Sequence, residues 1–240
     1  MTMNLNDFQP SNDGVLDYMK LENNNVIDDN GVSAYFRDIE KRLIEHIESA
    51  NSVFGAIAWL TNGNILNALS SREHVQVVVQ KEDFLRPDRS EKSYEEWKKW
   101  LHSCYSKLKC SIHRGEFEYW ILGAMSLSKD YPLDPVRCVG YNDTFKKGVL
   151  PRMHNKFLVF ANVEQVDDCG YPVHVIEPYA VWTGSFNFSK NATNSLENAL
   201  YITNKKIVDA YFREYTQIAA ISEKLDWTSE YIKPEWNIGV

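Results

Sequence analysis

The order of the short apolar segments constrains this chain most. Residues 53–59 (VFGAIAW) form a compact apolar run that suits a buried strand, and 75–79 (VQVVV) is β-branched and reads as a second one. Ahead of the first, Phe36, Ile39, Leu43 and Ile47 recur at three and four, so 32–50 reads as an amphipathic helix. Between the two, Thr61-Asn62-Gly63 turns the chain and 65–69 makes a short helix. After a charged loop at 81–92, Tyr94, Trp97, Leu101 and Leu108 mark a long helix with Lys98, Lys99 and Lys107 on its polar side, and 110–113 opens another strand. Helices alternating with strands in this way predict an α/β architecture with a largely parallel or mixed sheet.

The second half is less even. Gly115, Gly123, Pro132, Pro135, Gly140 and Gly148 break up 114–150, which reads as an irregular insertion of the kind that serves as lid, binding loop or interface arm. Strands follow at 153–160 (MHNKFLVF), 173–183 and 197–203 (ENALYIT), then a helix at 206–220. A hydrophobic fraction of 44% with only 11 Gly and 8 Pro excludes a disordered or collagen-like chain. No apolar run approaches the roughly 20 residues of a membrane helix. No basic-then-apolar leader opens the sequence, so the expected location is cytoplasmic.

Charge is unevenly spread. Of the net −7, residues 1–30 carry −5, from six acids against Lys20, leaving −2 for the rest. The first thirty residues therefore read as a polar, acidic extension that could shield a basic groove or bind a regulatory protein. Within the near-neutral body, 144–163 holds Lys146, Lys147, Arg152 and Lys156 with no acid, and 184–196 holds Lys190 with none. Such basic islands suit a phosphodiester backbone. Trp59 and Trp182, at strand ends, are candidates for stacking on bases as well as for core packing.

His102, Cys104, Cys110 and His113 are four potential zinc ligands within twelve residues. Their spacing, H-x-C-x5-C-x2-H, matches no common zinc pattern. The favoured reading is buried thiols and surface imidazoles, with Cys138 and Cys169 completing a set that marks no disulfide framework.

One constellation carries chemistry. His154-Asn155-Lys156 lies in the MHNKFLVF segment. Gly184-Ser185-Phe186-Asn187 begins 30 residues after His154, and Glu197 follows ten residues after Asn187. A neutral imidazole is a competent nucleophile toward phosphorus. An ammonium with Ser and Asn donors binds the non-bridging oxygens of a phosphodiester and of its transition state. A carboxylate on the far ring nitrogen fixes the tautomer and stabilises the imidazolium. Two apart on a strand, His154 and Lys156 would share a face. The set makes a phosphate site without a metal.

The segments MHNKFLVF and WTGSFNFSKNATNSLENALYI resemble the phospholipase D superfamily, whose signature is H-x-K-x4-D followed by G-S-x-N, and within it the small bacterial nuclease branch with one motif per chain. The resemblance is tight over 152–203 and looser over 34–80. It implies a mixed sheet flanked by helices on both faces, an α-β-α sandwich of one domain per chain over 31–240. It also implies a homodimer with the active site on its twofold axis and no cofactor. One His154 would attack phosphorus while the other protonates the leaving oxygen; Lys156, Ser185 and Asn187 would hold phosphoryl oxygens, and Glu197 would orient His154. Lys146, Lys147, Arg152, Lys190 and Trp59 are the expected substrate-binding residues. The chain departs from the signature at Ala161, where the family carries Asp.

Three functions compete. The first is a metal-independent endonuclease acting on DNA or RNA, with a defence or restriction role suggested by family habit alone. The second is a phospholipid hydrolase or transphosphatidylase using Phe117, Tyr119, Trp120, Ile121, Leu122 and Met125 as an apolar surface. The third is a non-catalytic module that binds nucleic acid or a partner through the old site.

Overall fold

The computed structural model describes residues 21–27, 30–85, 95–113, 115–117, 120–121, 133–140 and 151–225. At its centre lies the pair anticipated from the two apolar runs. Strands β2 (Ser52–Ile57) and β3 (His74–Gln80) are parallel, joined through helix α2 (Gly63–Ser70). Asn62 starts α2 by accepting the N–H groups of Asn64 and Ile65 at 2.9 and 3.3 Å, which satisfies two donors that a helix leaves unpaired.

Strand β1 (Val32–Tyr35) precedes helix α1 (Ile39–Ser49), and helix α3 (Glu95–Tyr105) follows β3. The short strands β4 (Gly115–Phe117) and β5 (Trp120–Ile121) come next, then β6 (Val136–Val139). Two long strands, β7 (Lys156–Asp168) and β8 (Tyr171–Gly184), form a hairpin. Cys169 and Gly170 at its tip both have positive φ, the combination that two-residue hairpin turns demand. The chain continues through β9 (Ala199–Ile202), helix α4 (Lys205–Ala220) and β10 (Glu223–Lys224).

The main sheet runs β1-β9-β8-β7-β2-β3-β6-β10. It is parallel at β2–β3 and β3–β6 and antiparallel at its other neighbouring pairs. Alternate residues of β2 face opposite ways. Val53 and Ile57 join Leu43, Ile47, Leu66 and Leu101 from α1, α2 and α3 in one core. Phe54 and Ala56 join Val208, Phe212 and Tyr215 of α4 in another. The mixed sheet with helices on both faces is the expected fold.

Several local expectations are corrected. Residues 32–35 are an edge strand paired with β9, so α1 starts seven residues later than the periodicity predicts. The turn before it is tied by Asn25, whose side-chain oxygen accepts the N–H groups of Phe36 and Arg37 at 2.7 and 3.0 Å. The tail of the acidic extension is thus stitched to the sheet edge, where Val26 bridges Ala34. Residues 1–20 lie outside the described residues. Residues 110–113 form no strand; the segment makes single bonds, with Lys109 accepting from Val75 and Ile112 from Leu133. Inside the irregular 114–150 stretch, β6 is a full member of the sheet, held by buried Arg137 donating to Ser222 at 2.8 Å and to Asp134 at 2.6 Å. Finally, β7 begins only at Lys156, because its partner β2 ends at Ile57, the residue opposite. His154 therefore sits just ahead of the strand.

Candidate active site

Antiparallel pairing of β7 with β8 sets Phe157 opposite Thr183, so the residues entering β7 and those leaving β8 emerge at the same end of the sheet. The pairing of Gly184 with Ala199 brings the residues entering β9 to that end as well. His154 and Lys156, Ser185 and Asn187, and Glu197 are gathered by topology. Gly184 is required by closeness: a Cβ there would stand 2.2 Å from the Asn198 carbonyl oxygen.

His154 is exposed and Lys156 partly buried. The Lys156 ammonium donates to the His154 carbonyl at 2.9 Å and stands 3.1 Å from its Nδ1 and 3.4 Å from its Nε2. The two side chains meet through the lysine curling back over the ring, and not across one strand face, since β7 begins only at Lys156. Trp59 packs edge-on against the imidazole, centroids 5.6 Å apart. Desolvation lowers the Lys156 pKa from its ordinary value, and the Glu197 carboxylate opposes that shift.

Glu197 accepts a hydrogen bond from the Ser185 hydroxyl, whose oxygen in turn accepts the Asn198 N–H at 3.0 Å. The carboxylate expected on the imidazole is therefore engaged by Ser185. Asn187 is partly buried, and its side-chain oxygen is buried with no hydrogen-bond partner. Arg152 and Lys190 are exposed, while Lys146 and Lys147 lie outside the described residues. Trp182 is 1% exposed in the core beside Tyr35, which rules it out for base stacking.

Sequence reasoning missed two features. Gln80, buried at the end of β3, accepts the Met153 N–H through its side-chain oxygen at 2.7 Å and so anchors the residue before His154. Ala58 donates to the Asn155 carbonyl at 2.7 Å, fixing the residue after it. The signal for Gln80 was a polar residue closing the apolar run VQVVV. The second feature is a cavity of about 380 Å³ beside the histidine, to which Trp59, Phe84, Trp97, Asn187 and Glu197 contribute.

Among the described residues no group of three or more His, Cys, Asp or Glu side chains is placed to hold a metal ion. Cys110 is buried and its thiol is pushed up to about 12 by desolvation. Of the apolar surface considered for lipid, β4 pairs with β5 and with His174 and Val175 of β8. His174 is ten residues from Gly184, so those backbones attach about 30 Å along the strand from the site. Tyr119, Leu122 and Met125 lie outside the described residues. Within the described residues no helix is long and apolar enough to cross a membrane.

No protein-family model matches the chain. It is 34% identical over 213 residues to the uncharacterized protein L381 of Acanthamoeba polyphaga mimivirus, covering 85% of this chain and 70% of that protein. Among solved structures, NucT from Helicobacter pylori is 19% identical with a TM-score of 0.45, covering 80% of this chain and 96% of that one. Nuc from Salmonella typhimurium, described as a phospholipase D family member, is 16% identical with a TM-score of 0.45, covering 80% and 95%.

Proposed function

The chain belongs to one family with the mimivirus protein L381, and we propose that it is a metal-independent phosphodiesterase of the phospholipase D type, cleaving nucleic acid at a homodimer interface. The observation that carries this reading is the exposed His154 imidazole with the Lys156 ammonium 3.1 Å from Nδ1, at the sheet end that also holds Ser185, Asn187 and Glu197.

In the proposed reaction, a ring nitrogen of one His154 attacks phosphorus in line. A P–N bond forms as the P–O bond to the leaving group breaks. The partner's His154 gives its proton to the departing oxygen, then takes one from the water that breaks the P–N bond. Lys156 turns from the His154 carbonyl to a non-bridging oxygen, where its charge meets that of the transition state. Asn187 supplies an amide donor. Glu197 aligns the Ser185 hydroxyl and balances the charge of Lys156. Exposed Arg152 and Lys190 contact neighbouring phosphates. The distance of β4 and β5 from the site argues against a lipid substrate.

Cleavage of plasmid and single-stranded DNA or RNA in EDTA tests the reading, with His154→Ala alongside. Wild-type cleavage abolished in the variant, by a species that sediments as a dimer, is the expected result. No cleavage, or equal cleavage by the variant, contradicts it; nucleic-acid binding without turnover identifies a non-catalytic module. Headgroup release from phosphatidylcholine vesicles in preference to nucleic acid assigns the lipid reaction instead.

A further inference from the structure

The histidine site handles phosphate, whereas the cavity beside it suits something flat and partly apolar. Its volume of about 380 Å³ is at the small end of the roughly 300–1,000 Å³ of small-molecule pockets. Trp59, Phe84 and Trp97 supply aromatic rings. The Trp59 indole donates to Glu82 at 3.1 Å, which fixes its plane. Phe84 and Trp97 brace each other edge to face, with centroids 5.4 Å apart and planes at 65°. Trp97 stays 37% exposed, which leaves aromatic surface for a ligand.

The rest of the lining is mostly polar, with Asn187, Asn191 and Ser195 beside Ala192. The Asn187 side-chain oxygen is buried without a partner. Buried acceptors in native proteins are paired, and a turn of this side chain toward the cavity it lines would let an occupant supply the donor. The cavity also shares its walls with the chemistry: Trp59 touches His154, and Glu197 holds Ser185.

Resting on the phosphodiesterase reading, we infer that this cavity receives one unstacked nucleobase of the strand whose phosphodiester lies at His154. The substrate is therefore single-stranded or locally unpaired nucleic acid. A base offers a π-face to the rings and a hydrogen-bonding edge to Asn187, Asn191 and Ser195, one sugar away from the phosphate. An acyl chain would offer the Asn187 oxygen no donor. A choline headgroup would suit the rings, but the Glu197 carboxylate is held by Ser185 and already faces the Lys156 ammonium, whose charge opposes a second cation.

The test uses the His154→Ala protein, which leaves the strand uncut, and a single-stranded oligonucleotide carrying 2-aminopurine, in EDTA. Stacking quenches 2-aminopurine. Quenching on binding is expected with the single strand and absent with the duplex. Adding Trp97→Ala should weaken binding at least about tenfold, and Trp97→Phe, which keeps a ring, should restore it. Binding by anisotropy without quenching, an unchanged quench in the Trp97→Ala protein, or displacement by choline at lower concentration than by a nucleoside monophosphate overturns the inference. Wild-type protein that cuts no phosphodiester while the quench and its loss persist defeats the proposed reaction and leaves the base pocket standing. Cleavage without any quench does the reverse.

Discussion

The side-chain oxygen of Gln80 accepts the Met153 backbone N–H at 2.7 Å, so the last residue of a central strand fixes the residue beside His154. Gly140 packs against the same side chain with φ +101°, where an added Cβ would stand 2.4 Å from the Gln80 oxygen. The imidazole is exposed, yet the backbone that carries it is pinned from inside the fold.

Gln80→Leu removes that acceptor and leaves a buried N–H unpaired. The expected cost is about 1–3 kcal/mol in urea unfolding. Because the bond sets the position of His154, kcat should fall while KM stays close to wild type. Lost stability with unchanged kcat would mean that Gln80 only supports the fold.

Lys156 is held below its ordinary pKa, chiefly by desolvation. In the proposed reaction its charged form binds phosphoryl oxygens, so activity should fall as pH rises through that lowered value, earlier than an ordinary lysine would allow. The same depression makes the charged lysine a cost to folding below its folded pKa. That cost is relieved as pH rises from there toward the unfolded value, where the unfolded chain binds more protons. Lys156→Arg should push the alkaline limb of the kcat profile upward, and Lys156→Met should lower kcat about 100-fold or more. An alkaline limb at the same pH in wild type and Lys156→Arg would assign it to another group.

Ala161 stands where the phospholipase D signature carries Asp. It is fully buried on the α4 side of the sheet, beside an irregularity in the β7–β8 pairing. A carboxylate there would be buried among apolar side chains. Ala161→Asp should destabilise the protein by at least about 2 kcal/mol in urea unfolding and raise no activity. A stable and more active variant would contradict this account of the departure.

The sheet centre was legible because segments 53–59 and 75–79 are apolar on both faces but for Gln76, a pattern that suits strands buried on both sides. The segment 32–35 misled because Val32, Ala34 and Tyr35 form an edge strand whose pairing with β9 is set by residues 164 to 170 positions away. The grouping of His154, Lys156, Ser185 and Glu197 followed from motif order. The hydrogen bond between Glu197 and Ser185 did not, since either hydroxyl or imidazole satisfies a carboxylate and only the approach of β9 to Gly184 decides between them. The cavity was illegible because Trp59, Phe84 and Trp97 converge from three separate segments.

The four thiols should also differ in reactivity. Cys169 is exposed at the hairpin tip, whereas Cys110 and Cys138 are buried and the Cys110 thiol is pushed up to about 12. Iodoacetamide at pH 8 should label Cys169 first and reach Cys110 only after unfolding, as read by peptide mass spectrometry. Early labelling of Cys110 would contradict its burial.

The most direct test of the central claim is to quench the protein in mid-turnover on an end-labelled oligonucleotide in EDTA and search for a covalent adduct. The account predicts an acid-labile, alkali-stable phosphoramidate on the peptide containing His154, absent from His154→Ala. Cleavage that proceeds without any adduct on that histidine, or that begins only when a divalent metal is added, would contradict it.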